Sequence, residues 1–180
     1  MKLLITLDGS KFAEAVLAPA AELAARSGAE VHLIEVVKES KAYPRWVASP
    51  SDEHDIWAEY DWPRGWAMAS PEHPTETAVL VETAAQALER TCYIAQDYLH
   101  SVSTRFFNGE AKTKVVMGED PAAEILGYVR REKVDLIALA THGRTGLARL
   151  LLGSVAAKLL RAREAPLLLV RPHKLHEGEG

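Results

Sequence analysis

The feature that most constrains the fold is an alternation of short apolar blocks with segments of helical periodicity. The blocks are rich in Leu, Ile and Val and show little polar alternation, which is typical of strands buried on both faces of a parallel sheet. They cover residues 2–7, 31–37, 113–117, 134–140 and 166–170. Strict alternation of strands and helices predicts an α/β fold, with a five-stranded parallel sheet, right-handed crossovers and helices on both faces.

Capping residues mark the predicted helices. Ser10 is a candidate N-cap for the first helix, and Pro19 inside that helix predicts a kink, because proline removes a backbone donor. The longest helix is predicted over residues 75–101, which contain neither Gly nor Pro. Asp120-Pro121 predicts another helix start, with Asp as the cap and Pro at the first helical position.

Domain organisation is predicted to be simple. Residues 1–172 form one domain, interrupted at about 38–74 by an insertion that holds all 4 tryptophans of the chain. Aromatic residues at irregular spacing usually pack locally, although these could also form a lid over a ligand or a surface for a partner. The polar residues 173–180 are predicted to be a flexible tail.

Charge and composition exclude several classes of protein. With 21 basic and 25 acidic residues, the formal net charge of -4 provides no basic field for nucleic acid. No apolar run approaches the roughly 18 residues needed to cross a bilayer, so no membrane association is expected. The single cysteine, Cys92, and the lack of a secretory signal at the start of the chain predict a cytoplasmic protein.

The predicted topology selects where a ligand would bind. Parallel sheets of this kind bind ligands outside the C-terminal ends of their strands, where the strand order reverses. The segments at those ends are Asp8–Ser10, Val36–Val37, Gly118 and the loop that begins at Thr141.

The loop from Thr141 to Ser154 is the richest of these segments. It places glycines, hydroxyls and an arginine between a strand end and the start of a helix at Gly153-Ser154. Exposed N–H groups and the positive end of the helix dipole there suit a phosphate, and glycine lets the backbone approach it closely. An ordinary glycine turn before a capped helix would look similar. The loop is not a P-loop, because no Lys-Ser/Thr pair follows the second glycine.

Other candidate sites are weaker. His173 and His176 lie in the predicted tail, away from Cys92, so a zinc site is not expected. Ser154 lacks the Gly-x-Ser-x-Gly context of a nucleophile elbow. Cys92 lies among apolar residues of the long helix, which favours an inert packed thiol over a reactive one. No catalytic residue and no protein metal ligand is therefore predicted.

Taken together, the motifs resemble the nucleotide-binding members of the universal stress protein family. Gly143 is separated by nine residues from Gly153-Ser154, as in that family's glycine motif. The resemblance extends over nearly all of residues 1–172, from Asp8-Gly9-Ser10 to the closing strand at 166–170. The chain departs from the family pattern at Ala140, where the motif has its first glycine.

The resemblance implies a Rossmann-like fold of the adenine nucleotide alpha hydrolase type, with strand order 3-2-1-4-5, and it implies a set of binding residues. Those residues are Thr6, Asp8 and Val36 around the adenine and ribose; Ala140, Thr141, His142 and Gly143 beneath the ribose and α-phosphate; and Arg144, Thr145, Gly153, Ser154 and Val155 at the remaining phosphate contacts.

The function that the resemblance implies is a regulatory stress-response module that binds ATP, ADP or AMP. Mg²⁺ or Mn²⁺ would be carried by the phosphates. The module would be a homodimer through the strand Pro166–Val170, since an apolar edge strand needs a cover, and would act on protein partners that the sequence does not identify. Two alternatives stay open: a weak ATP hydrolase using His142 or Asp8 as base, and a structural or signalling dimer that has lost nucleotide binding through Ala140.

Overall fold

A computed structural model describes residues 1–39, 46–47, 80–81, 83–141 and 153–171. The chain forms two compact units. One unit comprises Met1–Glu39 and Cys92–Gly180, and the other comprises Ser40–Thr91. The predicted insertion and its tryptophans lie mostly outside the described residues, as does the predicted tail.

Seven strands are present in the described part of the chain. They are β1 (Lys2–Leu7), β2 (Glu30–Val37), β3 (Trp46–Val47), β4 (Leu80–Val81), β5 (Lys112–Met117), β6 (Leu136–Ala140) and β7 (Leu167–Val170). Five of them form one parallel sheet in the order β5-β2-β1-β6-β7, while β3 and β4 form a separate antiparallel pair. Numbered within the large sheet alone, this is the order 3-2-1-4-5, and the predicted fold class is confirmed.

Helices cover both faces of the large sheet. They are a 3-10 helix (Ala13–Val16), α1 (Leu17–Ser27), α2 (Ala84–Phe107), α3 (Pro121–Glu132) and α4 (Ser154–Ala162). Alternate residues of β1 enter different cores. Leu3 and Ile5 pack with residues of α1 and α2 such as Leu99, whereas Leu4 packs with residues of α3 and α4 such as Leu159. Because successive side chains of a strand point to opposite faces of the sheet, β1 contributes side chains to the hydrophobic cores on both faces.

The premise of the kink prediction, that Pro19 lies in the interior of an α-helix that starts at Ser10, is wrong. Ser10 does accept a hydrogen bond from the Ala13 N–H through its hydroxyl, at 3.0 Å, but the segment that it opens is the 3-10 helix. The α-helix begins only at Leu17, so Pro19 lies in the first turn of α1. Proline is tolerated there, because the first N–H groups of a helix have no intrahelical acceptor.

The bounds predicted for the longest helix are also wrong. Leu80–Val81 forms β4 against Trp46–Val47, and α2 starts only at Ala84. At its other end α2 continues to Phe107, which is buried, and stops where Asn108 and Gly109 have positive φ. The other predicted boundary is confirmed: the Asp120 carboxylate accepts from the Ala122 N–H at 3.2 Å, with Pro121 as the first residue of α3.

A buried polar network ties β2 to α3. The His32 side chain is 1% exposed, and its Nδ1 lies 2.8 Å from the hydroxyl of Tyr128 on α3. Its Nε2 lies 3.0 Å from Glu30 Oε1, which is also paired with Lys112 on β5. Hydrogen bonds from Lys112 and His32 lower the pKa of Glu30 to about 2. The buried imidazole therefore has a partner at each nitrogen.

Among the helices in the described part of the chain, none is both long enough and apolar enough to cross a membrane.

Candidate functional site

The sheet opens between β1 and β6 at its C-terminal edge. These strands are in register only from Leu3–Leu136 to Ile5–Ala138. Beyond that point β1 stays paired with β2 as far as Leu7–Glu35, while β6 stays paired with β7. The strand order reverses at this boundary, where the connections from β1 and from β6 run to opposite edges of the sheet. This is the place at which open α/β sheets form a ligand crevice.

A tight turn closes the β1 side of this crevice. Asp8 Oδ1 accepts hydrogen bonds from both the backbone N–H (3.1 Å) and the hydroxyl (2.6 Å) of Ser10. Gly9 between them has φ +73°, a conformation that favours glycine. Asp8 is exposed, so its second carboxylate oxygen is available to a ligand at the edge.

Two of the predicted wall residues lie on the expected strands. Thr6 on β1 and Val36 on β2 are both half-buried. Val36 packs against the core formed with α3 and α4 and is in register with Val116 of β5. Both residues therefore lie near the strand ends.

The start of α4 supplies backbone donors to the same edge. Because β6, α4 and β7 form a crossover between parallel strands, α4 runs back along the sheet and begins at its C-terminal edge. Gly153 has no side chain with which to cap this terminus, in contrast to Asp120 at the start of α3. Ser154 is exposed, and a Cβ built on Gly153 would meet no atom of the described residues within 4 Å. Within the part of the chain that the structure describes, no side chain therefore caps the first N–H groups of α4.

The remaining predicted residues divide between the end of β6 and the loop that follows. Ala140 pairs with Val170, and the Thr141 N–H donates to the Val170 carbonyl at 2.9 Å. Val155 follows Ser154 in α4 and is half-buried. His142, Gly143, Arg144 and Thr145 lie outside the described residues.

Sequence reasoning missed Glu35, a titratable residue at this edge. Its side chain lies near Gly9, since a Cβ built on Gly9 would be 3.7 Å from Glu35 Oε1. Glu35 Oε2 is buried and has no hydrogen-bond partner among the described residues. Burial, and after it the charge of Asp8, raises the pKa of Glu35 to about 7. The available signal was a charged residue inside the otherwise apolar end of β2.

Metal ligation and thiol chemistry find no support in the part of the chain that the structure describes. Within residues 1–39, 83–141 and 153–171, no three His, Cys, Asp or Glu side chains are grouped to hold a metal ion. Burial raises the pKa of the Cys92 thiol, which disfavours the reactive thiolate.

The fold and the edge geometry define a Rossmann-like α/β protein whose strand order reverses between β1 and β6. Its sequence matches the model of the universal stress protein family over residues 63–171. The chain belongs to the universal stress protein family.

Two curated relatives of similar length are also universal stress proteins. Universal stress protein MJ0531 of Methanocaldococcus jannaschii is 28% identical over 173 residues, covering 96% of this chain and 83% of the relative. Universal stress protein YxiE of Bacillus subtilis is 27% identical over 172 residues, covering 94% of this chain and 98% of the relative.

Solved structures share the fold at lower identity. Hypothetical protein MJ0577 superposes with a TM-score of 0.63 at 21% identity, with 96% of each chain covered. Universal stress protein UspA from Lactobacillus plantarum gives 0.60 at 18% identity, covering 95% of this chain and 97% of its own. A universal stress protein in complex with cAMP gives 0.55 at 17% identity, covering 95% of this chain and 96% of its own.

Proposed function

We propose that this protein is a cytoplasmic regulatory module of the stress response that binds an adenine nucleotide at the C-terminal edge of its sheet. The observation that carries the proposal is the end of the β1–β6 pairing at Ile5–Ala138, with the start of α4 at the same edge. A nucleotide needs a slot for its base and ribose beside donors for its phosphates, and the divergence of β1 from β6 beside the first N–H groups of α4 supports such a site. The related structure in complex with cAMP supports the same ligand class.

Each side of the crevice has a distinct role in this proposal. Thr6, Asp8 and Val36 line the adenine and ribose, while the β6 end at Ala140–Thr141 lies beneath the ribose and α-phosphate. The phosphates receive hydrogen bonds from the start of α4 at Gly153–Val155 and from the loop residues His142 to Thr145. Mg²⁺ or Mn²⁺ is held by the phosphates.

The nucleotide acts as an allosteric ligand in this proposal rather than as a substrate. Occupancy stabilises one state of a homodimer that forms through β7 (Leu167–Val170), and partner proteins bind the two states differently. Hydrolysis would need a base beside the γ-phosphate, whereas this proposal places Asp8, one of the two candidates, beside the adenine and ribose.

Identifying the ligand that the purified protein carries distinguishes the proposed function from its alternatives. The purified protein is denatured, and the small molecules released are identified by mass spectrometry. Intact ATP or AMP supports the module, whereas ADP that appears in step with added ATP supports a hydrolase. Failure to retain or to bind any adenine nucleotide would leave only the structural dimer.

Calorimetric titration with ATP tests the site itself. Ser154→Ala removes one hydroxyl donor to a charged acceptor, worth about 1.5–3 kcal/mol, or roughly 10- to 150-fold in affinity. Ser101→Ala, which removes an exposed hydroxyl from α2, is the matched control and should bind as the parent does. Ala140→Gly should bind ATP at least as tightly as the parent.

Gly153→Val is the stronger test. Gly153 has φ −55°, so a valine there causes no left-handed strain, and the added Cβ meets no atom of the described residues within 4 Å. The variant should therefore fold, which circular dichroism checks, while its branched side chain occupies the position proposed for phosphate. Undiminished ATP binding by the folded variant would move the phosphate site elsewhere.

The dimer is tested by light scattering at micromolar concentration. A mass near twice the 19.7 kDa of one chain is expected, and a stable monomer would contradict the proposal.

A further inference from the structure

Glu35 is a charged residue within the apolar end of β2. It lies two residues before the strand ends at Val37, and its neighbours in register are the apolar Leu7 of β1 and Val115 of β5. Its Oε2 is buried without a hydrogen-bond partner among the described residues. An ionised carboxylate is costly in such a position unless something compensates its charge.

The groups that face Glu35 do not compensate a negative charge. Asp8, at the end of β1, is a second carboxylate that raises the pKa of Glu35. Tyr98 on α2 has a buried hydroxyl that makes no hydrogen bond of normal geometry. Burial, the charges of Glu14, Glu35 and Asp8, and a loose hydrogen-bonding contact with the Glu14 carboxylate raise its pKa. Glu14, on the 3-10 helix, is itself paired with Arg105 at 3.4 Å. Among the described residues no lysine or arginine pairs with Glu35, so a proton is what neutralises it.

The turn above Glu35 depends on hydrogen bonds to Asp8. The Asp8 carboxylate holds the N–H and the hydroxyl of Ser10, and that hydroxyl in turn accepts from the Ala13 N–H at the start of the 3-10 helix. A negative charge on Glu35 lies beneath Gly9 in this turn and repels Asp8. The same charge also opposes the approach of an anionic ligand to the crevice.

We propose that Glu35 is a positioning residue for the strand-end site, which in its neutral form holds the Asp8–Ser10 turn in the binding shape, so that nucleotide binding takes up a proton. This inference rests on the proposed nucleotide site and adds that protonation of Glu35 regulates binding at that site. Affinity then falls as pH rises through neutrality, and the module responds to the pH of its compartment as well as to nucleotide.

The size of the effect follows from proton linkage. With a midpoint of about 7 in the free protein, and binding only to the neutral form, the dissociation constant rises about tenfold between pH 6 and pH 8. Glu35→Gln keeps the size of the side chain and fixes it in a neutral state. It should bind as the protonated parent does at both pH values.

The experiment compares variants rather than absolute affinities, because the phosphates of ATP also titrate near neutrality. ATP is titrated into the parent, Glu35→Gln and Glu14→Gln at pH 6, 7 and 8, at one fixed concentration of Mg²⁺. The ligand's own titration cancels in the ratio of the parent's dissociation constant to that of Glu35→Gln, and this ratio should rise about tenfold from pH 6 to pH 8. Glu14→Gln removes a carboxylate from the same face and should keep the pH dependence of the parent.

A second measurement uses the unmodified protein. Carbon-13 NMR of labelled glutamate carboxyls gives the titration midpoint of Glu35 directly, and saturating ATP should raise it. This readout stands even where Glu35→Gln fails to fold.

The outcomes separate the two proposals. If ATP binds, and the ratio is the same at pH 6 and pH 8 or the midpoint of Glu35 does not move, the role of Glu35 is refuted while the nucleotide site stands. If neither parent nor variant binds ATP at any pH, both proposals fall.

Discussion

Two tyrosine hydroxyls, one with a well-formed hydrogen bond and one without, predict different costs for the same chemical change. Tyr128 lies 2.8 Å from His32 Nδ1, and His32 Nε2 lies 3.0 Å from Glu30. The Glu30 carboxylate can only accept, so in a neutral imidazole Nε2 donates to it and Nδ1 must accept from Tyr128. Tyr128→Phe removes that donor and leaves a buried nitrogen unpaired, at a cost of about 1–3 kcal/mol of unfolding free energy.

Tyr98→Phe is the matched control. The Tyr98 hydroxyl is buried and makes no hydrogen bond of normal geometry, only a loose contact with the Glu14 carboxylate, so its removal should change the free energy of unfolding by less than about 1 kcal/mol. The ring of Tyr128, over which the Arg131 guanidinium lies 5.3 Å from the centroid, is kept in Tyr128→Phe, so only the hydroxyl is tested. Urea unfolding followed by far-UV circular dichroism gives both values. Equal stability of Tyr128→Phe and the parent, or a larger loss in Tyr98→Phe, would refute the reasoning.

Two further predictions concern stability. Because folding raises the pKa of Glu35 from 4.5 to about 7, the folded protein binds the proton more tightly, and its stability should fall as pH rises from about 4.5 to 7. In the parent the free energy of unfolding should decline by about 1–2 kcal/mol over this range, less than the full pKa shift implies because the carboxyl is partly exposed. Glu35→Gln should remove this decline. If urea titrations show the same decline in the variant, the assigned pKa is contradicted. Gly127→Ala, within α3 and with no described atom outside the helix backbone within 4 Å of the new Cβ, should raise the free energy of unfolding by about 0.5–1 kcal/mol. Gly28→Ala, at φ +61°, should destabilise by about 1 kcal/mol, and thermal melts of the pair should move in opposite directions.

The parts of the fold that could be predicted from the sequence are those with local signals. Apolar blocks gave the strands of the large sheet, and Asp120-Pro121 gave the start of α3, because a cap and its helix are adjacent in the chain. The errors came from tertiary structure. No local pattern near Leu80–Val81 indicates that this segment pairs with Trp46–Val47 as a strand. The end of α2 depends on the burial of Phe107 in a core formed by segments that are distant in the sequence.

For the candidate site, sequence reasoning identified the strand ends but not the electrostatics. Thr6, Asp8 and Val36 lie near the predicted edge because the order of elements fixes which ends coincide. The raised pKa of Glu35 depends on its burial and, after that, on the charge of Asp8, which is 27 residues away in the chain and is brought near by the pairing of β1 with β2. A charge inside an apolar strand is visible in the sequence, but its neighbours are not.

The short pairing between β1 and β6 also has a mechanical consequence. This seam joins three residues of each strand, whereas β1–β2 and β2–β5 each join six and β6–β7 joins four. The connection between β5-β2-β1 and β6-β7 therefore relies more on side-chain packing, such as that of Leu4 with Ile137, than the connections elsewhere in the sheet do. A molecule that contacts both sides of the seam adds contacts where the backbone supplies the fewest.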